Sequence, residues 1–136
     1  MATRRLDNLP RIAFFGTGAM GAPMAQRLAE AGYAISVWNR TRSRAEHLSA
    51  FGADVFDTPD ETARDATIAI TMLESGPVVD AVLFPYGAST IIEHGSTVID
   101  MSSIPPSTAS GHAVRLEDLG IGYLDAPVSG GTRGAA

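Results

Sequence analysis

The chain has 136 residues, 45% of them apolar, and carries a formal charge of −5. That length suits one domain, which buries about 68% of its unfolded surface, and the apolar share is ordinary for a globular protein. The absence of cysteine excludes disulfides and thiolate metal sites, and the acidic balance argues against a nucleic-acid binder, which needs a clustered basic face.

No apolar run approaches the roughly 20 residues of a membrane span. The opening residues lack the apolar segment of a secretory signal, so a cytoplasmic location is expected. All ten basic residues are arginine; there is no lysine.

Residues 1–10 read as a polar arm and residues 11–136 as the domain. Ile12-Ala-Phe-Phe15 is a short apolar run that ends in glycine, as a buried strand does. Met20, Met24 and Leu28 recur at four-residue spacing, which predicts a helix with these three on one face. Pro23 is tolerated in its first turn, and Gly32 suits its C-terminal cap. Tyr33 to Trp38 alternates as a second strand. Ser43 to Phe51 is helix-like, with Gly52 as its stop, and Ala53 to Val55 suits a short third strand. Asp57-Thr58-Pro59 offers caps for a helix over Asp60–Asp65. Ala66 to Leu73 is apolar and β-branched enough for a central strand. Beyond it the pattern predicts a helix over Pro77–Leu83, a strand over Ser96–Met101, a helix over Ser107–Leu119 and a sixth strand over Gly122–Leu124. Such alternation implies an α/β fold, a doubly wound parallel sheet of the Rossmann type, because parallel strands need crossover helices.

Gly16, Gly18 and Gly21 form a G-x-G-x-x-G turn where the first strand meets the first helix, the context this dinucleotide-binding signature requires. In it the first glycine permits the tight turn, the second lets backbone approach a pyrophosphate, and the third lets helix pack close to strand. Unpaired N–H groups and the helix dipole supply the anion affinity. Gly16, Thr17, Gly18, Ala19, Met20 and Gly21 are therefore candidate cofactor contacts. An NAD site usually places an acid roughly 20 residues on, at the end of the second strand. Here Asn39-Arg40-Thr41-Arg42-Ser43-Arg44 stands there, with no carboxylate. Arginine welcomes a ribose 2′-phosphate through charge-assisted bonds worth about 1.5–3 kcal/mol each. Asn39, Arg40 and Thr41 are thus candidates for that end of the cofactor, and NADP is favoured over NAD. Arg42 and Arg44 are equally readable as a solvated helix face. His47, His94 and His112 lie far apart in sequence and read as surface or helix residues, and no metal site is expected.

Four segments, taken in order, resemble the β-hydroxyacid dehydrogenases, a family that includes 3-hydroxyisobutyrate dehydrogenase, tartronate semialdehyde reductase and the cofactor domain of 6-phosphogluconate dehydrogenase. They are Gly-Thr-Gly-Ala-Met-Gly-Ala-Pro-Met-Ala at 16–25, Val-Trp-Asn-Arg-Thr at 37–41, Asp-Met-Ser-Ser at 100–103 and Asp-Ala-Pro-Val-Ser-Gly-Gly at 125–131. The resemblance implies that Met72 and Leu73 touch the cofactor, although such a pair also suits core packing. The family usually has proline after this pair, whereas Glu74 follows here. Ser103 stands where the family more often has threonine, near the nicotinamide, and reads equally as a helix N-cap before Pro105 and Pro106. Ser129, Gly130 and Gly131 correspond to the substrate-binding segment, where a hydroxyl and backbone N–H groups clasp a carboxylate.

The family's chemistry exchanges hydride between nicotinamide and a small 3-hydroxy acid or its semialdehyde, with a lysine as general acid/base. Positioned proton transfer of that kind contributes typically about 10²–10⁴-fold. That lysine, and the helical C-terminal domain through which the family forms homo-oligomers, belong beyond residue 136, so no catalytic residue is assigned here. The chain is expected to be a truncated N-terminal domain whose partner is a small-molecule substrate, with no nucleic acid or membrane. The alternatives are a noncatalytic nucleotide-binding or interaction module and the cofactor domain of an imine reductase, in which another proton donor replaces the lysine.

Overall fold

The computed structural model describes residues 9–128. In chain order the elements are β1 (Ile12–Phe15), α1 (Gly21–Glu30), β2 (Ile35–Trp38), β3 (Asp54–Val55), α2 (Pro59–Ala63), β4 (Ile68–Thr71), α3 (Gly76–Leu83), α4 (Ala88–Ile91), β5 (Thr97–Asp100), α5 (Pro106–Asp118) and β6 (Gly122–Asp125). The six strands form one parallel sheet in the order β3-β2-β1-β4-β5-β6. β1 is buried along its whole length because apolar layers cover both faces. Ala13 and Phe15 enter one layer with Val79, Val82, Leu83 and Leu116 from α3 and α5. Ile12 and Phe14 enter the other with Ala25 and Ala29 from α1. Such two-sided cover is why this strand reads as a continuous apolar run instead of an alternation.

The register places Phe15 beside both Trp38 and Thr71, and Thr71 beside Asp100. The carboxyl ends of four adjacent strands are therefore level. The chain runs outward from β1 to β2 and β3, then returns to β4 on the other side of β1. This is a topological switch point, where open α/β sheets bind their ligands.

Several expectations are corrected. Met20 is the N-cap residue of α1 and not within it; Met24 and Leu28 pack against the core beside the buried line of Gly21, Ala25 and Ala29. Small residues let the helix lie close to the sheet. The helix expected over Ser43–Phe51 is two 3-10 helices, Arg42–Arg44 and Glu46–Phe51. Ala45 and Leu48 are fully buried and Phe51 partly so; their three-residue spacing matches the 3-10 period of three residues per turn. Gly52 stops this segment at φ 92°, a left-handed conformation suited to glycine. α4 was not expected. It is one short turn started by Gly87 at φ 87°, and it buries Ala88 and Ile92 in the α2–α5 layer. The caps of α2 follow expectation, with Pro59 at the helix start and the Thr58 hydroxyl accepting from the Glu61 amide.

Among the described residues no helix is long and apolar enough to cross a membrane.

Candidate functional site

The Gly16–Gly21 turn is fixed in place by the backbone around it. Gly16 has φ 104°, which favours glycine, and its amide donates to the Trp38 carbonyl at 2.9 Å. A Cβ at Gly16 would strike the Met72 carbonyl, and one at Gly21 would strike the Gly16 carbonyl and lie 3.3 Å from the Phe14 ring. Gly18 differs: a Cβ there meets nothing within 4 Å. The outer glycines serve the fold, and the middle one faces open space.

Below the turn, Asn39 ties two loops together. Its Oδ1 accepts from the Thr17 amide at 2.9 Å, and its Nδ2 donates to the Thr41 carbonyl at 3.0 Å. Thr17 is buried, and its hydroxyl has no partner among the described residues. The next amides, of Gly18, Ala19, Met20 and Gly21, have no acceptor among the described residues. α1 has no side-chain cap and no acid in its first turn. Its N-terminus is thus a set of unsatisfied donors at the positive end of a helix dipole, suited to an anion.

A cleft of about 370 Å³ opens at this point. Its floor is Gly16, Gly18, Ala19, Met20 and Gly21; one wall is Trp38, Asn39, Arg40, Thr41 and Arg44; the other is Met72, Leu73, Glu74 and Val78. Most of the sequence-predicted cofactor residues therefore meet around one cavity. Thr17 lies beneath its floor. Ser103 is exposed and outside its lining. The N-cap alternative for Ser103 is corrected: α5 starts at Pro106 with Pro105 in the cap position and no side-chain cap bond, because Pro105 already supplies the extended backbone. Ser129, Gly130 and Gly131 lie outside the described residues.

The three arginines after β2 are in different states. Arg42 donates to Asp57 at 2.6 Å and lies 3.4 Å from Glu46, and the Asp57 hydrogen bond raises its pKa above the ordinary value. Arg40 pairs with Glu74 at 3.0 Å across the cleft. Arg44 lines the cleft and has no carboxylate partner among the described residues.

Sequence reasoning missed a hydrogen-bond knot behind the β4 wall. Asp100 has no exposed surface. It accepts from the Thr71 hydroxyl at 2.9 Å, the Ser102 amide at 3.0 Å and the Tyr123 hydroxyl at 3.1 Å. Ser102 Oγ in turn accepts from the Leu73 amide at 2.8 Å, so the knot fixes the backbone that carries Met72 and Leu73 into the cleft. Burial, reinforced by the Asp100 carboxylate, pushes the Tyr123 phenol above its ordinary pKa and keeps it a donor. The available signal was the Asp-x-Ser spacing of Asp100 and Ser102, which suits a side chain bonding the amide two residues on.

The histidines form no group with one another. His47 and His94 are exposed. His112 belongs to α5 but is buried, 3.5 Å from Asp80 and between the rings of Phe84 and Tyr123. Among the described residues no group of three or more potential ligands could hold a metal ion.

A family profile describing the NAD-binding domain of 6-phosphogluconate dehydrogenase matches residues 11–136. The chain belongs to this family. The chain is 37% identical to an NAD-dependent L-serine dehydrogenase of Pseudomonas aeruginosa, over 94% of this chain and 43% of that protein. It is 38% identical to 2-hydroxy-3-oxopropionate reductase of Escherichia coli, over 92% of this chain and 43% of that protein. The solved structure of Mycobacterium tuberculosis 3-hydroxyisobutyrate dehydrogenase with L-serine superposes with TM-score 0.88 at 34% identity, covering 93% of this chain and 43% of that one. These three relatives are named as dehydrogenases or a reductase, and the chain spans 43% of the length of each.

Proposed function

We propose that the chain is the NADP(H)-binding domain of an oxidoreductase acting on a small 3-hydroxy acid or its semialdehyde. The observation that carries the choice of NADP is the cleft wall after β2: it presents Arg40 and Arg44 and contains no carboxylate of its own. A carboxylate there would hold an unmodified ribose and repel a 2′-phosphate. In this reading the amides of Gly18, Ala19 and Met20 hold the pyrophosphate, and Arg40, Thr41 and Arg44 hold the 2′-phosphate. Asn39 lines the same cleft, and its bonds to Thr17 and Thr41 hold the two loops together. Met72 and Leu73 contact the nicotinamide half, with Ser103 nearby, and Ser129, Gly130 and Gly131 take the substrate carboxylate.

When bound, the cofactor supplies a hydride donor or acceptor for a carbonyl–alcohol pair. The chain's own residues bind it, orient it and exclude water from its pyrophosphate. The chain contains no lysine, and in this reading none of its residues is assigned the proton that accompanies the hydride.

The test uses Trp38, the only tryptophan in the chain and a residue of the cleft wall. Its fluorescence reports binding as NADPH or NADH is titrated. NADPH is expected to bind at least about tenfold tighter, the worth of one charge-assisted bond, and Arg40→Asp should remove most of that difference. Equal affinities, or tighter NADH, would contradict the reading.

A further inference from the structure

We propose that Glu74 sets how strongly this cleft discriminates the phosphorylated cofactor, because its carboxylate and the 2′-phosphate compete for the guanidinium of Arg40. The proposal rests on the reading of Arg40 as a 2′-phosphate ligand. Arg40 follows β2 and Glu74 follows β4, the strands on either side of β1. Their 3.0 Å ion pair therefore spans the cleft above the carboxyl end of β1, and both residues line the cavity.

The pair is exposed, with 75% of the Arg40 side chain and 64% of the Glu74 side chain open to solvent. Exposed pairs of this kind contribute little to stability, so the fold does not depend on it. Arg42 makes the contrast. Asp57 and Glu46 hold it away from the cleft. Arg44 lines the cleft and has no acid partner among the described residues. Of the three, only Arg40 is both in the cavity and engaged by a carboxylate.

A phosphate monoester carries about −1.5 to −2 charge near pH 7 and three acceptor oxygens, against a single charge and two oxygens on Glu74. It therefore displaces Glu74 from Arg40, and the lost ion pair weakens the net gain. NADH has no such group and leaves the pair intact. Glu74 thus lowers the affinity for NADPH selectively, by an amount equal to the worth of the pair. For an exposed pair that is about two- to fivefold.

The experiment measures dissociation constants of NADPH and NADH by Trp38 fluorescence in the unmodified chain, Glu74→Gln, Arg40→Gln and the double variant. Glu74→Gln is expected to tighten NADPH about two- to fivefold and leave NADH unchanged. In the Arg40→Gln background, Glu74→Gln is expected to change neither. Equal tightening of both cofactors overturns the proposal, as does tightening of NADPH that persists without Arg40, because either means direct repulsion between Glu74 and the ligand. If Arg40→Gln weakens NADPH while Glu74→Gln is inert, only the role of Glu74 falls. If Arg40→Gln leaves NADPH unchanged, the Arg40 reading falls and this proposal with it.

Discussion

On the β4–β5 side of the cleft, Thr71, Ser102 and Tyr123 all donate to Asp100, which has no exposed surface. On the β2 side, Arg40, Arg42 and Arg44 all stand exposed, and two of them hold carboxylates that are exposed as well. The first wall is tied by buried hydrogen bonds, which are expensive to leave unmade. The second is held by ion pairs that water and salt weaken. In the proposed reading, shape and charge recognition fall to separate parts of the cleft. The tied wall and the glycine turn would fix where a ligand lies, and the open wall would decide which charge it carries. Charge preference would then change through single exposed residues without disturbing the fold.

Substitutions at the turn should separate fold from binding most sharply. Gly21→Ala puts a methyl group against the Gly16 carbonyl, so we expect a loss of about 3 kcal/mol in urea unfolding. Asp100→Ala removes the shared acceptor of three donors and is expected to destabilise by about 2 kcal/mol. It should also weaken both cofactors equally, since the Leu73 backbone loses its support. A selective effect on NADPH alone would contradict the division between the walls. Gly18→Ala is the smallest change to the fold. A methyl there meets nothing, so stability should stay within about 0.5 kcal/mol. Dinucleotide affinity should nevertheless fall, because the methyl projects toward the pyrophosphate position. A stable Gly18→Ala variant with normal affinity would place the ligand elsewhere.

Much of this was legible in the sequence because it depends on local spacing. The strands around Ile12–Phe15 and Ile68–Thr71 are short β-branched or apolar runs, and the glycines fall at one strand–helix junction. Gly16–Gly21 and Asn39–Thr41 could be named as one site because the Rossmann connection fixes how two strand ends meet. The pairing of Arg40 with Glu74 could not be read, because it joins positions 34 residues apart whose side chains carry no periodic signal. The Asp100 knot was hidden for the same reason: Thr71 and Tyr123 are remote in sequence and reach it only through strand order. The family resemblance points to Ser103, and nothing local in the sequence shows that Ser102 is the serine that turns inward. The spacing of Met24 and Leu28 marks the packed side of α1, but hydrophobicity alone does not show that close approach to the sheet buries Ala25 and Ala29 most deeply.

The central proposal is that the amides at the start of α1, which have no acceptor among the described residues, hold the pyrophosphate. It is tested most directly by backbone amide NMR of the ¹⁵N-labelled chain during NADPH titration. The amides of Gly18, Ala19 and Met20 should shift most, while that of Thr17, already bonded to Asn39, should move less. Saturable binding that leaves those three amides unmoved would contradict the assignment.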